Sequence, residues 1–417
     1  MTGDVIGAAG APLTDGALLV IGVYALVAAL HVALPARETS GYACDYETGK
    51  PLRYRLNGLG VLLAVVLVWA ALAHLGVAPA SLVARLYWPA LCSACALGLA
   101  LSGAFLARGL LVLRPAGLEQ KCVRGPTADR AGRPQPSAAD LQAYSARSLA
   151  AHFYLGMEFN PRWAMFDVKM FLYLVGAVML SLIVLSAAAL QAEQDGALSR
   201  AMLAYVGCFT WFFCEYLYFE EPHLYTYDLF AERIGFKLLW GCTCFYPFFY
   251  PVGVWAIVAH APGADLSRAQ AAACVALFFS GWVLTRGANM QKYLFKRSAA
   301  HGGGGSEDKA AKARALDSVF FGLVKQETVP GSRILCSGFW GLSRHINYMG
   351  EIIQALALAL PGLLVSDSLV PLLYPLYYVL LFVPRQIDDD AICRTKYGAL
   401  WDEYERRVPS RIVPGLY

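Results

Sequence analysis

The feature that most constrains this chain is a succession of apolar runs, each near the length a helix needs to cross a bilayer. They lie at 17–34, 59–76, 88–113, 170–190, 201–219, 238–262, 270–285, 351–366 and 369–384. An α-helix of about 18–25 apolar residues spans the roughly 30 Å hydrocarbon layer. In lipid the backbone must satisfy its own hydrogen bonds, so only helices and closed barrels serve. These runs are rich in Leu, Val and Ala without period-two alternation, which favours helices. Composition agrees. Of 417 residues, 58% are hydrophobic and only 15% charged, against about 25% charged in a typical soluble domain. The expectation is an all-α integral membrane protein, not a soluble one with a large core.

Other classes are disfavoured. A net charge of +4 is small and dispersed, so no nucleic-acid partner is expected. Most cysteines fall inside apolar runs (Cys92, Cys95, Cys208, Cys214, Cys242, Cys244, Cys274) and read as reduced small hydrophobes. Cys92-Ser-Ala-Cys95 has no histidines at zinc spacing, so no metal site is expected. No GxGxxG follows an expected strand, and the glycines at 302–305 are consecutive, which makes a poor phosphate cradle. No basic region precedes the first apolar run. A retained first helix is therefore expected rather than a cleaved leader, after a disordered 1–14.

Four polar stretches interrupt the runs: a connector at 35–57, a flexible loop at 114–148, the segment 298–333, and the tail 385–417. The third holds a glycine-rich piece followed by a short charged helix. The tail keeps helical signals and is expected to fold. Lys and Arg concentrate in the last three, which puts these on the cytoplasmic side.

Charge and aromatics crowd both ends of the final apolar pair, where a passive anchor needs few. Arg385, Asp389, Cys393 and Tyr397 recur every fourth residue and so share one helical face, with Arg394 and Lys396 beside it. Such a face can hold a ligand with phosphates and amides; it can equally be a solvated helix with an Arg385–Asp389 pair. Before the pair, "FWGLSRHINY" supplies Trp340, Arg344, His345, Asn347 and Tyr348. There Trp340 can stack on a flat ring, Arg344 can bind phosphate and Asn347 can pair with an amide, or the run is an interfacial belt. Lys292 and Lys296, one turn apart, are either a second grip on phosphate or a positive-inside flank.

Further upstream, 212–241 places Glu215, Glu220, Glu221, His223 and Asp228 among aromatics. Glu215 sits inside an apolar run and reads as a proton source, or as a structural partner of Lys237 or Arg233. In 156–171, Glu158, Arg162 and Asp167 read as a structural polar cluster, and Asn160-Pro161 as a helix start.

From "PLRYRLNG" (51–58) to Tyr417 the chain resembles the sterol reductase family. That family takes in Δ14-reductases, the reductase domain of lamin B receptor, Δ7-reductases and fungal Δ24(28)-reductases. "GMEFNPRWAMFDVK", "FEEPHLYTYDLFAERIGF", "RGANMQKYLFK", "LCSGFWGLSRHINYMGE" and "DDDAICRTKYGALWDEYERRVPSRIVPGLY" occur in the family's order. The resemblance implies about ten transmembrane helices and a C-terminal NADPH-binding helical region without a Rossmann unit. It divides the chain into helices 15–290 and a hairpin with cofactor region at 291–417. It implies cofactor contacts at Lys292, Lys296, Leu335, Trp340, Asn347, Tyr348, Arg385, Asp389, Cys393, Lys396 and Tyr397. The substrate would be a sterol from the bilayer.

"DLFAERIGF", "RGANMQK" and "RHINY" resemble Δ14-reductases, whereas "EFNPR" and the closing "PGLY" resemble Δ7-reductases. Pro384-Arg385-Gln386 and "WGCTCFYPFF" depart from the Δ14 pattern. The implied reaction is reduction of the Δ14 bond, with Δ7 or Δ24(28) as alternatives. An isolated alkene must be protonated before it accepts hydride. The acid is expected from 212–228, as Tyr216 or Tyr218 backed by Glu215, with Asp389 a second candidate. Membrane S-adenosylmethionine-dependent methyltransferases share an "RHxxYxG"-like turn, and a non-catalytic sterol-binding scaffold is a third reading. The expected membrane is the endoplasmic reticulum, or the inner membrane in a bacterium.

Overall fold

The computed structural model describes residues 12–45, 50–115, 144, 146–230, 232–260, 263–300, 318–320 and 322–417. Residues 1–11, most of the 114–148 loop, and the expected charged helix after the glycines lie outside the described residues. Two compact units divide the chain, Met1–Ala261 and Pro262–Tyr417.

The first unit contains helices α1 (Leu13–Ala33), α2 (Gly58–His74), α3 (Tyr87–Leu113), α4 (Val168–Asp195), α5 (Arg200–Tyr218) and α6 (Phe236–Val258). An antiparallel hairpin of β1 (Arg37–Cys44) and β2 (Pro51–Leu56) joins α1 to α2. The second unit contains α7 (Arg268–Ala300), α8 (Ile346–Val365), α9 (Leu373–Tyr397) and α10 (Ala399–Arg407). Among the described residues, seven helical segments are long and apolar enough to cross a membrane: those of α1, α3, α4, α6, α7, α8 and α9. The chain is an all-α, multi-pass membrane protein. The apolar run at 59–76 forms the shorter α2, and the run at 201–219 forms α5.

Tertiary packing separates helices that look alike in sequence. Ala177, Val178, Met179, Leu180, Ile183 and Val184 of α4 are fully buried, so α4 is the core of its unit. Leu18 and Ile21 of α1 are 72% and 57% exposed, as lipid-facing residues are.

Polar residues close the helix ends. Arg55 Nε donates to the His31 carbonyl (3.0 Å), and Asn57 Nδ2 to those of His31 and Leu34 (3.1 and 3.2 Å). These satisfy orphan carbonyls at the C-terminus of α1, where a cation is also favoured. At α4 the cap is Asp167, whose carboxylate accepts from Met170 N (3.1 Å) and pairs with Arg162 (2.5 Å). The helix therefore starts later than Asn160-Pro161 suggests, because a two-residue hairpin (Arg162–Trp163 with Phe166–Asp167) intervenes. Glu158 pairs with Arg108 instead, at 3.0 Å. The run at 238–262 is not a straight helix. It contains a π-turn at Gly241–Phe245 and a kink at Pro251, since proline offers no N–H to the ladder.

In the second unit α7 and α8 cross with backbones nearly touching. A Cβ built on Gly350 would sit 2.6 Å from the Gly281 carbonyl oxygen. Beside the crossing, Thr285 Oγ1 donates to the Asn347 carbonyl and Gln354 Nε2 to Thr285 Oγ1, both at 3.2 Å. Lipid gives no hydrophobic drive to helix pairing, so close approach and interhelical hydrogen bonds hold this crossing. The α9 helix continues through Pro384 to Tyr397, so the polar tail begins as an extension of the membrane helix. The chain then returns past the start of α8. Arg344 N donates to Ser410 O (3.0 Å), His345 N to Arg411 O (2.8 Å), and Ser343 Oγ to Ile412 O (2.8 Å).

Candidate functional site

Within the second unit, α7, the residues before α8 and the far half of α9 converge. Trp340 is buried beside Leu335, Ala288 and Ile346, and its Nε1 donates to the Ala288 carbonyl at 2.9 Å. The Lys292 ammonium sits 4.6 Å from the Trp340 ring centroid, a cation–π contact. Trp340 is thus anchored by its own fold at one edge and covered by Lys292. From α9, Arg385, Asp389 and Cys393 lie within electrostatic reach of Lys292. The spacing of four therefore does put those side chains on one face, and that face looks toward α7.

A stack of rings backs the cluster. His345 lies 4.8 Å from Tyr348 at 15°, Tyr348 4.3 Å from Phe382 at 6°, and Phe382 5.0 Å from Tyr378 at 14°. Offset stacking of this kind fixes ring planes. His345 Nε2 is 3.9 Å from Asp389 Oδ2. Burial, and then Lys292, Arg344 and Arg385, push the His345 imidazole down to about 3, so it is neutral at physiological pH. Sequence reading assigned His345 no role; a single histidine in an aromatic run carries no periodic signal.

Asn347 presents an amide oxygen that is buried without a hydrogen-bond partner among the described residues, while its Nδ2 reaches Asn289 Oδ1 at 3.4 Å. A buried acceptor left open is costly unless a ligand N–H fills it. Lys296, one turn along from Lys292, is half-buried. Farther down α9, Cys393 and Tyr397 pack at the margin of a cluster of Val329, Ile334, Trp401, Tyr404 and Val408. Lys396 Nζ lies 4.9 Å over the Tyr397 ring.

Arg344 has a structural task instead of the phosphate contact its position suggested. It is 5% exposed, donates to Glu405 and to the Pro409 carbonyl (3.5 Å), and lies 3.5 Å from Asp390. Burial alone would raise Glu405, but the hydrogen bonds and charges of Arg344 and Arg394 hold it below the ordinary carboxylate range.

The acid candidates of 212–228 lie in the first unit, and the structure parts them. Tyr216 lies 6.4 Å from Tyr173 and 4.1 Å from the His223 ring, within electrostatic reach of Tyr246, Cys242 and Asp228. Tyr218, two residues on and so across the helix, is 68% exposed and is not part of that cluster. Glu215 is half-buried; as the adjacent helical residue it does not share a face with Tyr216. Lys237 pairs with Glu232 at 2.5 Å, and Arg233 lies over Phe159 at 4.5 Å.

The segment carrying Asp228 is held by Lys169. This lysine is 0% exposed, and its ammonium donates to the carbonyls of Asp228, Leu229 and Glu232 at 3.2, 3.0 and 2.5 Å. Nearby, Glu220 accepts from Gly58 N at 3.0 Å, and burial raises it to about 7 despite Gly58 and Arg37.

The family model for the ergosterol biosynthesis ERG4/ERG24 family matches residues 11–417. The chain belongs to this family. It is 29% identical to a Delta(14)-sterol reductase of Arabidopsis thaliana over 408 residues, covering 97% of each chain. It is 35% identical over 266 residues to a Delta(14)-sterol reductase of Methylotuvimicrobium alcaliphilum, covering 64% of this chain and 58% of that protein. With the Delta(14)-sterol reductase TM7SF2 of Mus musculus it shares 34% identity over 270 residues, 64% of this chain and 59% of the relative. The matches to the latter two span less than two thirds of the relatives' length.

Proposed function

We propose that this protein reduces a sterol carbon–carbon double bond, the Δ14 bond, with NADPH as cofactor. The observation that carries the cofactor assignment is the open, buried amide oxygen of Asn347 beside a ring stack and a lysine–carboxylate cluster. The relatives named Delta(14)-sterol reductase support the bond position.

The residues present fit such a cofactor. Asn347 offers an acceptor to a carboxamide N–H. Lys292, Lys296, Arg385 and Lys396 offer cations to phosphates. Leu335 and Trp340 belong to one apolar cluster and Cys393 and Tyr397 to the margin of another; on this reading they and Tyr348 form the cofactor wall. On this reading 291–417 carries most of the cofactor contacts and 15–290 the remaining helices. When bound, NADPH supplies a hydride.

The protein must supply a proton first, because an isolated alkene carbon is a poor hydride acceptor. Protonation at carbon 15 of a Δ14-sterol would put positive charge on the tertiary carbon 14 and so make it a hydride acceptor. Tyr216 is the proton donor on this reading, in an apolar surround that disfavours leaving the cation to water. On this reading Asp228, whose backbone carbonyl accepts from Lys169, supports the proton supply to Tyr216. Asp389 is the second candidate. The substrate comes from the bilayer, in the endoplasmic reticulum or a bacterial inner membrane.

The test is purified protein with NADPH and a panel of Δ8,14-, Δ7- and Δ24(28)-sterols, read by mass spectrometry. Saturation of the Δ14 bond is expected. Reduction of the Δ7 bond alone would favour the second reading, to which "EFNPR" and "PGLY" point. Methyl transfer from S-adenosylmethionine, or full activity of Asp389→Ala combined with Tyr348→Phe, would overturn the assignment.

A further inference from the structure

We infer that Gln291 is a positioning residue: it grips the backbone on both sides of Gly338 and so sets the Trp340 ring beneath Lys292. What the ring contributes to a cofactor rests on the proposed function; the grip rests on the contacts alone.

Gln291 lies on α7, is 0% exposed, and uses both halves of its amide on the segment before Trp340. Its Nε2 donates to Ser337 O at 3.0 Å, and its Oε1 accepts from Phe339 N at 3.0 Å. Ala288, three residues earlier and so on the same face of α7, accepts from Trp340 Nε1 at 2.9 Å. The Phe339 ring rests on the same helix: a Cβ built on Gly287 would sit 2.2 Å from its Cζ. Lys292 follows Gln291 directly, and its ammonium lies 4.6 Å from the Trp340 ring centroid. Backbone, indole edge and ring face of this one segment are thus all held from a single helix.

Gly338 makes the grip necessary. Its φ is 62°, in the region that favours glycine. A Cβ there would sit 2.3 Å from Val324 Cγ1 and 2.7 Å from Gln291 Nε2, so the close approach demands glycine as well. A glycine just before Trp340 is also a joint, since its torsions are the least restricted in a chain. The apolar contact of Phe339 is non-directional, so it sets the depth of the segment and not its rotation. Hydrogen bonds to the residues before and after the joint are directional and hold its torsions. Ser337 Oγ accepts from Glu327 N and donates to Lys325 O, both at 2.7 Å, but that brace acts before Gly338 and does not span it. Gln291 spans it. Without the amide, Ser337 O and Phe339 N lose these partners in a buried place, and the segment turns about Gly338 to replace them. Trp340 turns with it, against the remaining hydrogen bond to Ala288 O.

The experiment is fluorine NMR of the full-length protein in lipid nanodiscs without nucleotide, with fluorotryptophan at its nine tryptophans. The Trp340 signal is identified by its loss in Trp340→Phe, and those of Trp69 and Trp255 in the same way. Gln291→Met keeps the length and helix propensity of the side chain and removes both hydrogen bonds. In it the Trp340 signal should move or split, while those of Trp69 and Trp255 stay in place and report an intact fold. With NADPH, the KM for NADPH in Gln291→Met should rise roughly ten-fold. An unmoved Trp340 signal overturns the inference, whether or not NADPH binds. A moved signal with an unchanged KM upholds the grip and removes Trp340 from the cofactor wall. Failure of the wild-type protein to bind NADPH overturns the cofactor reading instead and leaves the fluorine result decisive. Should Gln291→Met not fold, hydrogen exchange of the wild-type protein decides. The Phe339 amide must then be protected, and exchange at the rate of an open-chain amide overturns the inference.

Discussion

Replacing Arg344 by Met removes the charge and keeps most of the stem, so the effect reports the ion pair more than packing. In the native protein this buried guanidinium serves Glu405, Asp390 and the Pro409 carbonyl. Removing one partner of a buried pair costs about 3–5 kcal/mol, because the other charge is left desolvated and unpaired. Neither carboxylate would be wholly abandoned here. Glu405 keeps Arg394 at 2.6 Å, and Asp390 keeps Arg411 at 3.5 Å. Arg394 and Arg411 are half-exposed and therefore weak substitutes. The expected loss is about 3 kcal/mol, at the lower end of that range.

The pH dependence gives the argument a second handle. Glu405 titrates below its ordinary value of 4.5. Its stabilisation is therefore fully present above about 4.5 and is lost as pH falls through the lowered value. Denaturation of wild type and Arg344→Met in detergent should show the full gap at pH 7 and a smaller one at pH 4. The wall made by His345 and Asn347 follows Arg344 directly, so NADPH affinity should fall with stability. Arg344→Lys should be intermediate, since an ammonium cannot reproduce the guanidinium fork. A variant within about 0.5 kcal/mol of wild type at pH 7, the scatter of ordinary surface substitutions, would refute the claim that this pair holds the wall in place.

Other substitutions test separate parts of the reading. Tyr216→Phe should lower kcat for the sterol by at least about a hundred-fold, as loss of a general acid does, while Tyr218→Phe stays near wild type; steady-state turnover with quantified product decides. Asn347→Ala should weaken NADPH binding roughly ten-fold by titration calorimetry, the cost of one buried hydrogen bond. Glu220 has a raised folded value of about 7, so its favourable contribution is complete below about 4.5 and disappears as pH rises through 7. Wild type should therefore lose up to about 3 kcal/mol relative to Glu220→Gln between pH 4.5 and 8, visible as a flatter stability profile for the variant.

The shared face of α9 was legible from spacing. The four-residue recurrence of Arg385, Asp389, Cys393 and Tyr397 needed only helical geometry, and α9 supplies it without a break. Lys292 was marked by its place after an apolar run; its company on Trp340 and near Asp389 depends on segments that the tertiary fold brings to α7. What spacing could not distinguish was the task of each charged group. Arg344 and Arg385 both looked like phosphate ligands, but one is consumed by Glu405 and Asp390. Tyr216 and Tyr218 looked equivalent as residues, yet they point to opposite sides of α5. Lys169 resembled any charge at the head of a span, and only the fold shows that it is fully buried on three carbonyls.

The sequence by itself determined that this chain is a bundle of membrane helices, because bilayer thickness and backbone hydrogen bonding leave apolar runs of this length no other form. Its motif order also determined the family. Only the tertiary structure decided which apolar helix is core and which faces lipid, where α6 breaks, and which polar side chains remain open to a ligand. Those outcomes depend on partners distant in the chain, such as Gly281 against Gly350 and Arg344 against Glu405, and no local pattern encodes them.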